Sequence, residues 1–198
     1  VQTTHPEFNK YGAFRGWAKT HGKHSNIGYE RPKDMDENQS AKLRVSENDD
    51  PRVSTAEMQT YTWEKANTNT TQTLVDAANR LAEELPEGTP ADQVLKHWIE
   101  SARKDDEARG VIWPTVDPAH VAKSGTAWQI FPNFQIGHSV NNALCYSARP
   151  HGYDPDKCIF EAAVYELFPP GEEPQTEWEF SPPTEEAWCY VLSQDFSN

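Results

Sequence analysis

The chain has 198 residues with 31 acidic against 18 basic side chains, a net charge of −13 that repels phosphate backbones and argues against nucleic acid as a partner. A hydrophobic content of 36%, including seven Trp, seven Tyr and eight Phe, suffices for the core of one ordinary domain, so a single domain over residues 1–198 is expected. No apolar run approaches the roughly 20 residues that cross a bilayer, and the start Val1-Gln2-Thr3-Thr4-His5-Pro6 has neither the basic nor the apolar region of a signal peptide.

From Val1 to about Tyr29 the chain is dense in His, Gly, Lys and aromatics without a clean period, which reads as a helix end followed by irregular chain. Glu30 to Arg52 is polar and charged and reads as a surface loop, with room for a short strand around Ala41–Val45. The spacing then predicts two helices. Over Thr71–Leu85, Leu74, Ala77, Ala78, Leu81 and Leu85 share a face, and Pro86-Glu87-Gly88 stops the helix. The second begins with Thr89 as N-cap and Pro90 in the first position, gathers Val94, Leu95, Trp98, Ile99 and Ala102 on one face, and closes at Gly110.

Ala127–Ile136, Asn142–Ala148 and Ile159–Leu167 are rich in aromatic and aliphatic residues and separated by Gly, Pro and Asp turns, so they read as strands of an antiparallel meander. A Pro/Glu-rich connection over Pro169–Pro174 and an extended piece at Glu177–Phe180 lead to Ser181-Pro182-Pro183-Thr184-Glu185-Glu186, a helix start. The three cysteines, Cys145, Cys158 and Cys189, form no Cys-x-x-Cys pair. They read as buried packing thiols in a reducing, cytoplasmic setting.

On the last helix Trp188, Val191, Leu192 and Asp195 fall at i, i+3, i+4 and i+7, which turns the Asp195 carboxylate toward an apolar face. A carboxylate there needs a hydrogen bond, a counter-charge or a metal; the other reading is a solvated residue near the chain end. Asn133, after Pro132 in an apolar strand, either points to a site or caps the strand end. His21 and His24 lie three apart but among lysines and without a carboxylate, a weak metal pair.

Several segments, taken in order, resemble the α (large) subunit of Rieske-type aromatic ring-hydroxylating oxygenases. Val1-Gln2-Thr3-Thr4-His5-Pro6-Glu7 resembles the second half of that family's Glu-x-Tyr-His-x-x-x-x-His-Pro motif, whose first histidine would immediately precede Val1. Trp128-Gln-Ile-Phe-Pro-Asn-Phe-Gln-Ile136 resembles the family's central strand, and Tyr146-Ser-Ala-Arg-Pro-His-Gly152 the Arg-Pro-x-Gly strand end that follows it. Gln194-Asp195-Phe196-Ser197-Asn198 resembles the Asp-x-x-Asn helix segment that carries the family's carboxylate ligand. The stretch from Gly28 to Val111 matches nothing in the family.

The resemblance implies a fragment of the C-terminal catalytic domain, inactive alone. Its fold would be α+β and of helix-grip (Bet v 1-like, START-like) type, a curved antiparallel sheet around a C-terminal helix. His5 and Asp195, with the preceding histidine, would form a two-His-one-carboxylate site for mononuclear Fe(II), which leaves coordination positions open for dioxygen. Phe131, Asn133, Phe134, Trp188 and Leu192 would face an aromatic or similarly hydrophobic substrate in an apolar cavity, with the Leu95–Ile99 region contributing to its wall. Electrons would come from a Rieske [2Fe–2S] cluster in an N-terminal domain outside this sequence, fed by an NAD(P)H-dependent reductase or a ferredoxin. The full-length protein would assemble as a homotrimer or α3β3 complex and act as a dioxygenase or monooxygenase in aromatic hydrocarbon catabolism. The competing expectation is a helix-grip module that binds a hydrophobic ligand without chemistry. The absence of a Gly-x-Ser-x-Gly segment argues against a hydrolase.

Overall fold

A computed structural model describes residues 15–30, 46 and 48–195. Its architecture is α+β. An antiparallel hairpin of β1 (Arg15–His21) and β2 (His24–Glu30) precedes five helices: α1 (Pro51–Ala66), α2 (Gln72–Asn79), α3 (Leu81–Glu84), α4 (Ala91–Ala108) and α5 (Pro118–Ser124). Then come β3 (Ala127–Ile130), β4 (Phe134–His138), β5 (Asn142–His151), β6 (Asp154–Glu166) and α6 (Glu185–Asp195). The six strands form one open antiparallel sheet in the order β1-β2-β3-β4-β5-β6. Among the described residues no helix is long and apolar enough to cross a membrane.

The meander expected from the C-terminal half is present, with one change: Ala127–Ile136 is two strands, folded at Phe131–Asn133 so that Ile130 pairs with Phe134. Arg15–Glu30, read as irregular, is instead a hairpin in register from Arg15↔Glu30 to His21↔His24. Its period of two is obscured because polar and aromatic residues share a face, Trp17, Lys19 and His21 on one side and Ala18 and Thr20 on the other. The expected strand at Ala41–Val45 lies outside the described residues. Glu177–Phe180 pairs with no strand and is exposed.

Helix α1 begins where Asp50 accepts from the Arg52 backbone N–H at 3.0 Å with Pro51 in the first position, and it ends at Asn67 in a left-handed conformation. It carries no apolar stripe; the residues it buries are Ser54, Thr55 and Ala66. Thr71 caps α2, and the helix expected over Thr71–Leu85 is two, interrupted at Arg80. Helix α4 starts one residue later than expected: Pro90 is the N-cap, and the Thr89 hydroxyl donates back to the Pro86 carbonyl at 2.6 Å. Of the apolar stripe read for α4, Val94 and Ala102 are buried, whereas Leu95 is 54% exposed.

Most of the buried apolar residues lie among the helices, with Leu144 and Cys145 on β5 buried as well. Leu74, Ala77, Ala102, Val111 and Trp113 form one cluster, with Trp98, Ile99 and Leu167 packed against it; Ala78, Leu81 and Val94 form a second with Leu85 and Trp98. Trp98 satisfies its indole N–H on the Leu74 carbonyl at 2.8 Å, so a half-buried ring bridges the two clusters without an orphaned donor.

A buried carboxylate joins this layer to the sheet. Asp106 on α4 is fully buried and accepts from the Thr73 hydroxyl at 2.8 Å, Arg109 at 2.7 Å, the Trp113 indole at 2.6 Å and the Asn141 amide at 2.9 Å. Burial works against its charge, but the bonds from Arg109, Asn141, Trp113 and Thr73 outweigh that and hold it below the usual aspartate range. Asn141 sits in the β4–β5 turn and also donates to the Thr71 cap at 3.0 Å, while its carbonyl accepts from the Leu167 N–H after β6. Asp106 and Asn141 together therefore fix α2, α4, the chain after α4 and the end of the sheet.

At the other end of the sheet, α5 is seated by Asn26, whose amide donates to the Ser124 carbonyl at 2.6 Å. Gly125 closes α5 at φ 75°, and a Cβ there would lie 2.1 Å from the Ile27 carbonyl oxygen, so the helix can meet β2 only through glycine. Of the cysteines, Cys145 is buried as expected, whereas Cys158 is exposed near the start of β6 and Cys189 is half-buried.

Candidate functional site

The register across β4, β5 and β6 decides which side chains share a sheet face. Tyr146 stands opposite Ala162 and Ala148 opposite Phe160, so Tyr146 and Phe160 project on the same face as diagonal neighbours. Their rings lie 5.2 Å apart at 42°. Trp188 on α6 lies 6.4 Å from Phe160 at 56°, a tilted contact that lays the C-terminal helix over this face.

Helix α6 is not continuous. Cys189 adopts φ 61°, ψ 170°, a region that suits glycine and costs a residue with a side chain of order 1–3 kcal/mol. Trp188 thus stands before a break, and Leu192 and Asp195 follow it one helical turn apart. Even so, Trp188, Leu192 and Asp195 meet Tyr146 and Phe160 around one pocket. The space inside is ≈ 170 Å³, open in part to solvent, and only ≈ 10 Å³ of it admits the centre of a water.

Four of the five lining side chains are Tyr, Phe, Trp and Leu, and Asp195, exposed at the end of α6, is the one carboxylate. Its charge is felt inside. The Tyr146 phenol is pushed well above the usual tyrosine range, first by burial and then by the negative charge of Asp195. Tyr146 therefore stays protonated through the physiological range and shares the pocket with the Asp195 side chain.

The residues expected to form a site are distributed unevenly. Trp188, Leu192 and Asp195 come together. His5 lies outside the described residues. Asn133 donates from its side chain to the Ala148 carbonyl at 2.7 Å while its own carbonyl accepts from the Ala148 N–H at 3.1 Å, which ties the β3–β4 turn to β5. Phe131 is 53% exposed in that turn, with the Lys23 ammonium 4.9 Å from its ring centroid. Phe134 pairs with Ser147, one residue along from Tyr146, and so projects from the opposite face of the sheet. The Leu95–Ile99 stretch belongs to the helical layer and does not line the pocket.

Tyr146 and Phe160 were not among the residues expected at a site. Alternation along β5 and β6, with Leu144, Tyr146 and Ala148 in step with Phe160, Ala162 and Val164, is the signal that places them on one face. His21 and His24 are engaged separately: His21 stacks on Trp128 at 5.5 Å and bonds Asn26 Oδ1 through Nε2 at 2.9 Å, while His24 Nδ1 accepts the Phe131 N–H at 3.2 Å. Among the described residues, no three His, Cys, Asp or Glu side chains are grouped so that they could hold a metal ion.

No family model, no curated protein and no solved structure matches this chain.

Proposed function

We propose that the protein is the catalytic domain of a mononuclear Fe(II) oxygenase of the Rieske ring-hydroxylating type, acting on an aromatic or similarly hydrophobic substrate. The observation that carries the reading is the Asp195 carboxylate at the rim of a pocket otherwise walled by Tyr146, Phe160, Trp188 and Leu192. The position of α6 across the sheet face supports a helix-grip arrangement.

Asp195 fits the oxygen-donor member of a two-His-one-carboxylate set. His5 would be a nitrogen donor on the strength of the sequence resemblance, with a second histidine preceding Val1. When bound, Fe(II) in such a site supplies dioxygen activation, with electrons from a Rieske [2Fe–2S] cluster and its reductase. The chain's own residues do the rest. The Tyr146 hydroxyl, kept protonated by burial and by the charge of Asp195, is a polar group in the same pocket as the carboxylate. The Tyr146, Phe160 and Trp188 rings, tilted against one another, offer an apolar wall to an aromatic substrate.

The largely apolar lining also favours a second reading, a carrier that holds a hydrophobic ligand without chemistry. Anaerobic loading with Fe(II), followed by desalting and metal analysis, separates the two when naphthalene binding is measured in parallel. For the chain extended to include the histidine before Val1, the oxygenase reading expects about one iron per chain, lost in Asp195→Ala and in His5→Ala. A chain that retains no iron, and whose Asp195→Ala variant binds naphthalene as the parent does, is a carrier.

A further inference from the structure

We propose that the Glu166 carboxyl binds a proton and donates it to the Asn142 side-chain oxygen across the β5–β6 ladder, a pH-sensitive fastening between the sheet and the helical layer. The inference rests on strand register and buried polar atoms and does not depend on the function proposed above.

The register brings the two side chains together. The Leu167 N–H donates to the Asn141 carbonyl at 3.0 Å, which makes Asn141 and Leu167 a hydrogen-bonded pair beyond the end of the ladder. The adjoining pair, Asn142↔Glu166, is then a non-hydrogen-bonded one. Pairs of that kind set their Cα atoms about 4.5 Å apart and project both side chains on the same face, closer than elsewhere in the ladder.

The bonds around Asn142 fix which of its atoms is left over. The Asp106 carboxylate is an acceptor, so Asn141 turns its amide nitrogen to Asp106 at 2.9 Å and to the Thr71 hydroxyl at 3.0 Å. Asn141 Oδ1 is therefore an acceptor too, and Asn142 meets it through Nδ2 at 3.0 Å. Asn142 Oδ1 has to find its donor elsewhere. The residue is only 7% exposed, and no amide, hydroxyl or indole among the described residues reaches that oxygen. A buried carbonyl oxygen in such a place is costly without a donor. The side chain directly opposite is Glu166, which donates only when protonated.

The surroundings of Glu166 favour the protonated form. Arg109 directs its guanidinium to Asp106 at 2.7 Å and to the Thr73 hydroxyl at 3.1 Å, and among the described residues no cation pairs with Glu166. Burial pushes the Glu166 carboxyl above the usual glutamate range; the Arg109 charge opposes this and the Asp106 charge adds to it. Arg109 and Asp106, both from α4 and its C-terminal end, are the charged groups that bear on it. Loss of the proton would set a second carboxylate against Asp106 and leave Asn142 Oδ1 without its donor. Because the folded value is raised, the fastening is complete below the ordinary glutamate pKa and is released as pH rises through the folded one. Asn142 shares a face of β5 with Leu144 and Tyr146, so the released strand is the one that also forms the pocket wall.

A pH titration of the 198-residue chain by NMR tests this, with the glutamate carboxyl carbons and the Asn142 side-chain amide followed together. The expected result is a Glu166 midpoint above the ordinary glutamate value and an Asn142 amide signal that moves with the same midpoint. Asn142→Leu separates the proposal from burial alone. Removing the acceptor should lower the Glu166 midpoint by about half a pH unit or more, whereas a merely buried carboxyl would keep its midpoint or rise beside the less polar leucine. A midpoint in Asn142→Leu no lower than in the parent overturns the proposal. If that variant fails to fold, the parent chain decides: an Asn142 amide signal that ignores the Glu166 titration, or a Glu166 midpoint at or below the ordinary glutamate value, overturns it equally.

Discussion

Removing the Asp106 carboxylate is the most informative single perturbation of the fold. In Asp106→Ala three donors lose their acceptor inside the protein: the Thr73 hydroxyl, the Trp113 indole and the Asn141 amide. Arg109 is half-exposed and can turn to water. Each orphaned buried donor costs about 1–3 kcal/mol, and relief by water or by alternative bonds keeps the sum below the simple total. About 3–6 kcal/mol is therefore expected, against the 5–15 kcal/mol typical of a whole domain. With a urea dependence of about 1–3 kcal/mol per molar, the unfolding midpoint should fall by about 1–2 M or more without a change in slope. Asp106→Asn is the discriminating companion. Its carbonyl can still accept from Trp113 and Asn141, and the Thr73 hydroxyl can reverse to accept from the new amide, so the loss should be about half as large. Urea unfolding followed by circular dichroism reads both. A midpoint for Asp106→Ala within about 0.3 M of the parent would refute the claim that this carboxylate holds the two layers together.

The same network sets a pH dependence. Asp106 is held below its ordinary pKa, so the stability it contributes is present above about pH 3.9 and is lost as pH falls through its folded value. Glu166, at the end of β6, has the opposite sign: burial raises its pKa, the Asp106 charge adds to this and Arg109 opposes it. Its protonation favours the folded state below about pH 4.3, and that contribution disappears as pH rises through the folded value. Glu166→Gln should therefore raise the urea midpoint at pH 7 and converge on the parent near pH 4; a variant no more stable than the parent at pH 7 contradicts the assigned sign. Gly125→Ala should lower stability by about 2 kcal/mol or more, since it combines a left-handed φ with a Cβ 2.1 Å from the Ile27 carbonyl; thermal unfolding within a degree of the parent would show that α5 is free to shift away from β2.

The parts of the fold legible in the sequence are those where side-chain period and burial coincide. The C-terminal strands are marked by aromatic and aliphatic content between Gly, Pro and Asp turns. Thr71 is both a cap residue by type and the observed cap of α2. Helix α1 was not legible because it packs through Ser54, Thr55 and Ala66 and presents no hydrophobic period; its one sequence signal is Asp50-Pro51. Asp106 sits in the run Lys104-Asp105-Asp106-Glu107, which reads as solvated surface until Trp113 and Asn141 are known to converge on it. At the candidate site the spacing of Trp188, Leu192 and Asp195 picks out three pocket residues although the φ of Cys189 breaks the helix between them. Tyr146 is legible in the sequence only as the head of the Tyr146–Gly152 strand end, because its place in the pocket depends on pairing with β6 and on the position of α6.

The division of the core has a dynamic consequence. Both clusters of fully buried apolar residues belong to α2, α3, α4 and the chain around Val111 and Trp113, and no strand residue joins them among the described residues. Amide protons of that helical layer should exchange with solvent only through global unfolding, whereas α6 and the β5–β6 ladder can open by local fluctuation. The aromatic pocket lies entirely in the second, more yielding half. A molecule larger than a water can enter it only if the last helix shifts, and that helix packs on α1 as well as over the sheet, so ligand entry would be felt in the helical layer too.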